Sequence, residues 1–223
     1  MKPATRKIRL LSLLLIVFVL LSFVSCERSY DEEEVIANAS RLLREAEVLN
    51  EIYYGKGLQY VTTGHIDGYY YEADPVQLYT LGFSTIEELK NKTLKTFSVG
   101  YSEQIFKTKL SVIEDETGIQ QMTRYYQKYD GVNVLAPVCI MVYSKAPVSL
   151  KDEITYDYSS LTVSGVKGQT VYVNVLANVK SGEKSQTVTI KIALIEEDDG
   201  WRIDNPCYAN YNESQDKYND LNK

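Results

Sequence analysis

Histidine is almost missing from this chain: His65 is the one histidine in 223 residues. A Ser-His or Cys-His nucleophilic machine therefore has a single candidate base. His65 stands beside Gly64 near a predicted hairpin tip, where a solvent-facing histidine is the ordinary outcome. Cysteine is nearly as scarce, and no two of the three form a C-x-x-C pair. A structural zinc site needs about four ligands, so Cys139 and Cys207, with no histidine near them, do not make one. Basic charge is short too, with 24 Lys+Arg against 30 Asp+Glu. Internal repeats and long linkers are absent, and no motif calls for an enzyme, a metal or a cofactor.

One long apolar run is present. Lys2, Arg6, Lys7 and Arg9 make a cationic start, and Leu10 to Ser25 follow with only serines interrupting the apolar side chains. This charged-then-apolar layout is that of an export signal. It sits at the short end for a spanning helix, which needs about 20 apolar residues. The run closes on LSFVSC, Leu21 to Cys26, with a small residue directly before the cysteine. That ending resembles the lipobox of bacterial lipoproteins, with Phe23 where Leu is more usual. The resemblance implies cleavage before Cys26 and a diacylglyceryl group on its sulfur. Two acyl chains anchor a protein stably where one does so marginally. The alternative is an uncleaved signal anchor with an incidental cysteine. Both readings put the chain from Glu27 onward outside the cytoplasm. The expected organisation is a signal peptide over 1–25, a lipidated cysteine and tether over 26–34, one domain over 35–209, and a polar tail over 210–223.

Removing the signal takes away four basic residues and no acidic ones, leaving 20 against 30, a net charge of −10. An acidic domain is a poor binder of nucleic-acid phosphates and of anionic lipid surfaces. Cys139 and Cys207 could form a disulfide in an oxidising compartment, or stay as two buried thiols that pack as small apolar groups. The apolar run Val138 to Val142 around Cys139 favours thiols.

The periodicities predict an α+β domain. From Glu27 to Asn50 the pattern is helical, with Ser29 and Glu32 spaced as a capping box and Val35, Ala39, Leu42, Ala46, Leu49 and Tyr53 on one stripe. Gly55 and Gly57 stop it. Asp67-Gly68 and Asp130-Gly131 are hairpin turns between β-forming runs. Pro75 closes the second strand. Ser84 with Glu87 opens a second helix carrying Ile86, Leu89, Thr93 and Phe97, and a third covers Ser102 to Lys109. APVCIMVYS is apolar enough for a central strand. Val171, Val173, Val175 and Ala177 share one face of a strand, as do Val188, Ile190, Ile192 and Leu194. A last strand runs from Trp201 to Asp204.

The order of long helix, hairpin, two helices and antiparallel meander resembles the NTF2-like superfamily. There, N-terminal helices pack on a curved antiparallel sheet to form a cone. ALIEEDDGWRIDNPCYANY, Ala193 to Tyr211, is similar to the closing strands of NTF2-like lipoproteins of Gram-positive bacteria. YYYEADPVQLYTLGFSTIEELKNKTLKTFSVGYSEQIF resembles the IseA-type inhibitors of cell-wall DL-endopeptidases. The resemblances imply an extracytoplasmic, lipid-anchored module that meets another envelope component, with control of a cell-wall hydrolase as one such role.

Candidate site residues are few. Asp204, with Trp201 nearby, would face a cone pocket in a ketosteroid-isomerase-like arrangement of one Asp base and tyrosine donors; Glu72 and Asp74 are further acidic candidates. Strand alternation instead sends Arg202 and Asp204 to solvent and packs Trp201 and Ile203 inward. Tyrosine is abundant, at 19. Tyr carries an apolar ring with a polar handle, which suits binding surfaces and sugar faces, although β-propensity explains many tyrosines on a half-buried sheet. In Tyr69-Tyr70-Tyr71 the rings must alternate faces, so at least one is exposed. Three functions follow as expectations: a non-catalytic binding module, a small-ligand or cell-wall glycan binder, and an isomerase-like enzyme.

Overall fold

The predicted stripe forms the buried face of a 22-residue helix, α1 (Glu32–Tyr53), in the computed structural model of the chain. The structure describes residues 30–66, 69–110, 113–114, 120–121, 123–129, 137–146, 148, 150 and 152–207. Three glutamates in the first turn of α1 favour the positive end of its dipole. Ser29 lies outside the described residues. The helix ends where Gly55 N–H donates to Asn50 O and Gly57 N–H to Glu51 O, each at 3.1 Å.

Next come β1 (Tyr60–Ile66) and β2 (Tyr70–Ala73), which pair antiparallel; the expected turn at Asp67-Gly68 lies outside the described residues. Pro75 does not merely close β2. It opens a helix that the sequence reading misses, α2 (Pro75–Leu81). Proline fits the first helical position because its missing N–H has no helical partner there. Asp74 caps the helix by accepting from Val76 N–H at 2.9 Å.

The next helix, α3 (Ile86–Thr96), starts one residue later than expected. Thr85 accepts from Glu88 N–H, and the Glu88 carboxylate accepts in return from Thr85 N–H. Ser84 adds two donors to the same carboxylate. The third helix, expected over Ser102 to Lys109, starts earlier, as α4 (Val99–Lys109), with Ser98 as its cap. Ser102 is buried inside it, donating to Phe97 O at 3.3 Å.

The strands β3 (Ile113–Glu114) and β4 (Gln120–Gln121) pair with each other. The rest divide between two four-stranded antiparallel sheets, where the sequence reading places one curved sheet. The first has the order β1-β2-β6-β5, with β5 (Tyr125–Tyr129) and β6 (Pro137–Tyr143). β6 is a central strand, as its apolar run requires. The second is a meander, β10-β9-β8-β7, of β7 (Glu153–Lys167), β8 (Thr170–Ser181), β9 (Lys184–Glu197) and β10 (Gly200–Ile203). The division arises because the β1–β2 hairpin pairs with β6 and not with a strand of the meander. Val171, Val173, Val175 and Ala177 are all buried, as are Ile190, Ile192 and Leu194. α1 packs on this second sheet at β7 and β10.

The C-terminus of α1 is tied to the first sheet by two buried side chains. The Tyr125 hydroxyl donates to Ile52 O at 2.7 Å and accepts from Leu58 N–H at 3.0 Å. Arg124 donates to Tyr53 O at 3.3 Å, to Gly55 O at 2.5 Å and to the Tyr125 hydroxyl at 3.1 Å. A helix end leaves its last carbonyls without helical partners, and these two residues satisfy them. Gly57 makes room for the arrangement. It has φ +83°, and a Cβ there would stand 2.5 Å from the Tyr125 hydroxyl and 2.6 Å from the Arg124 guanidinium.

Gly57→Ala should therefore destabilise the fold strongly. The backbone conformation alone costs roughly 1–3 kcal/mol, and the contact adds to it. Urea unfolding measures this; an unchanged midpoint would show that the 53–58 turn does not need glycine. A second expectation concerns pH. Burial raises the hydroxyl pKa of Tyr53, Tyr125, Tyr156 and Tyr158. A folded-state pKa above the unfolded one gives stability that is complete below the unfolded value, about 10, and is lost as pH rises through it. The urea midpoint should thus be flat across neutral pH and fall above about pH 10. A flat profile at higher pH would contradict the burial of these hydroxyls.

Candidate functional site

The structure scatters the residues that the sequence singles out. Cys26 lies outside the described residues, and so does the His65 side chain, whose backbone pairs with Tyr71. Tyr69 is exposed, with Lys145 Nζ 3.7 Å from its ring centroid. Tyr70 is buried, packs on Tyr126 and Tyr143, and donates to Thr123 O at 2.7 Å. Tyr71 is half-buried and stacks on Tyr60 at 4.8 Å. The expected alternation of rings is therefore present, and Tyr69 is the outward ring.

Trp201 and Ile203 are buried, as expected. Arg202 is not at the surface, where alternation places it. It is 5% exposed because its guanidinium donates to Leu94 O at 2.6 Å, to Trp201 O at 2.9 Å and to Asp199. Asp204 is exposed and accepts from Ser98 Oγ at 2.5 Å. Ser98 caps α4, so this carboxylate steadies a helix start.

The disulfide is not formed: Cys139 and Cys207 are free thiols. The reason is location. Cys139 sits in β6 of the first sheet, whereas Cys207 follows β10 of the second and receives a bond from Asn50 Nδ2 of α1 at 3.8 Å. Burial pushes the Cys207 thiol up to about 12. Burial, then the Glu72 carboxylate, raises Cys139.

What the fold does build is an open groove of about 760 Å³. Strand residues line it, Val61 of β1, Glu72 and Ala73 of β2 and Cys139 of β6, together with Pro75, Leu78 and Tyr79 of α2, Gly82, Phe83 and Ser84 of the following turn, and Glu88 of α3. Leu78 and Phe83 are buried, yet Val76 is 71% and Tyr79 89% exposed on the same short helix. Asp74 and Gly82 fix that helix at its two ends; Gly82, at φ +75°, donates its N–H back into the last turn. Glu72 has Lys128 at 3.7 Å, beyond hydrogen-bond reach. Glu88 is held below the usual carboxylate range, first by the Ser84 backbone N–H and then by the Ser84 hydroxyl.

Sequence reasoning reached Glu72 but missed Tyr79 and Glu88 as groove residues. The signal was available in Asp74-Pro75 followed by Gly82, which is a cap, a first-position proline and a left-handed stop. Among the described residues no group of three or more His, Cys, Asp or Glu could hold a metal ion. Among them, too, no helix is long and apolar enough to cross a membrane. Compared with known proteins, the chain matches no family model and no curated protein.

Thiol labelling checks the cysteine environments. Cys139, half-buried at the groove, should react slowly in the native protein, and Cys207 only on unfolding, since the thiolate is the reactive form. Equal native rates, or an intact mass showing a Cys139–Cys207 bond, would overturn this.

Proposed function

We propose that the chain is a non-catalytic lipoprotein on the extracytoplasmic face of the cell membrane, whose domain binds another component of the cell envelope. The observation that carries the binding role is the groove, with Tyr79 on its lining and Val76 exposed on the same helix. An exposed apolar patch at a groove is a feature of interaction sites. The anchoring role rests on the cationic start, the apolar run and the LSFVSC ending at Cys26. A non-catalytic reading is supported by the tasks that ionisable groups already perform. Asp204 steadies a cap, Glu88 completes a capping box, Glu47 accepts from Tyr158, and Arg124 binds carbonyls. Asp204, the candidate base of an isomerase, does not line the groove. An NTF2-like scaffold fits the long helix α1 laid on β7 and β10 of a meander.

Cross-linking in intact cells, followed by purification and mass spectrometry, tests the binding role. One envelope protein, such as a cell-wall hydrolase, should be recovered in near-equal amount. Cys26→Ala should abolish labelling by a fatty-acid probe and release the chain from the membrane. Recovery of no protein partner after cross-linking would sink the interaction reading.

A further inference from the structure

We propose that the groove between β2, β6 and α2 takes a short cationic segment of a partner protein, one that places apolar side chains next to Lys or Arg. The inference rests on the binding role proposed above and names the chemistry of the occupant.

Three observations carry it. The first is the floor and rim: Ala73, Leu78 and Phe83 are buried around the groove, and Val76 and Tyr79 stand out beside it. Such a surface takes aliphatic or aromatic side chains. The second is charge. The ionisable carboxylates among the described lining residues are Glu72 and Glu88, and no Lys or Arg is among them. Lys128, the described residue that forms an ion pair with Glu72, stands at 3.7 Å with both side chains more than one-third exposed. Such a pair is worth little, so an incoming cation can replace it. The third is preorganisation. Ser84 N–H, Ser84 Oγ and Thr85 N–H all converge on Oε2 of Glu88, at 2.6, 2.9 and 3.2 Å. A carboxylate has about four acceptor sites, so Glu88 is fixed and still able to accept. Ordering it costs a ligand nothing further. The negative balance of the chain beyond its signal, −10, steers a cationic partner toward it.

A random linear peptide library displayed on phage provides the probe. The bait is the full chain in nanodiscs, with empty nanodiscs for counter-selection. Enriched sequences should carry Lys or Arg beside Leu, Ile or aromatic residues. A synthetic peptide of the enriched sequence should bind less tightly as salt rises. Glu72→Gln and Tyr79→Ala should each weaken it by about tenfold. Glu183→Gln, in the turn between β8 and β9, should leave it unchanged. Glu72 and Tyr79 are at the surface, so circular dichroism should show both variants folded. Neutral or acidic winners, no enrichment, or binding unmoved in folded Glu72→Gln and Tyr79→Ala would overturn the proposal. Cross-linking in cells separates the two claims. A partner still captured by the Glu72→Gln, Tyr79→Ala double variant removes the groove assignment and leaves the binding module standing. No partner captured by the native chain removes the binding module itself.

Discussion

Arg124 and Tyr125 hold the C-terminus of α1, and the two halves of the domain depend on that contact. α1 packs its apolar stripe on the second sheet, but its last carbonyls are claimed by residues at the start of β5 in the first. A buried guanidinium is costly unless its donors are used. Here they reach carbonyls at the negative end of a helix dipole, the favourable place for a cation. The Tyr125 hydroxyl joins the same set as donor and acceptor at once. Hydrogen bonds linked in this way strengthen one another in a low-dielectric interior. Lys109 lies close enough to Arg124 that its own charged form is disfavoured, after burial, by that neighbour. The side chain instead lies over the Tyr54 ring at 4.6 Å.

The joint has a geometric consequence for the groove. With β5 fixed against α1, β6 and then β2 are set by ladder pairing, Tyr125 opposite Val142 and Tyr71 opposite Val142 on the other side. α2 follows β2 after a single capping residue, so its position is inherited from the strand. Gln127 of β5 also accepts from Ile86 N–H at 2.9 Å, which ties the start of α3 to the same sheet. The strands and helices that line the groove are thus tied to one sheet.

Legibility in the sequence followed the range of the forces involved. The stripe of α1, the alternation of β8 and β9, and the central placement of β6 are local periodicities, and they were readable. The start of α3 is ambiguous by one residue because Ser84 and Thr85 both offer a hydroxyl with a glutamate three residues on. α2 escapes a periodicity reading because seven residues give too little pattern to compete with the strand signal before them. Arg202 departs from alternation because alternation counts faces, whereas a long side chain can fold back to reach Leu94 O. Two sheets in place of one could not be read at all, since pairing of β2 with β6 is a contact across about seventy residues that no local pattern encodes. The groove shares this origin in part: its residues come from three segments, Val61, Glu72 to Glu88 and Cys139, and the β2–β6 pairing is what brings Cys139 to the rest.

Helix α2 poses the sharper question of why the chain carries it. A seven-residue helix is far below the length at which helices persist alone. It therefore needs Asp74, Pro75 and Gly82 at its ends and Leu78 as its buried anchor. One buried leucine is a modest return for so much specified geometry, roughly 1.5–3 kcal/mol. Val76 and Tyr79 add almost nothing to the core, being turned to solvent. Single exposed apolar residues are common and need no account. Here two of them stand on one short helix, beside a groove lined by two carboxylates, Glu72 in a weak surface pair with Lys128 and Glu88 fixed by its capping bonds. The local rules that a stable fold prefers are set aside together at one place, which is where function is expected to reside.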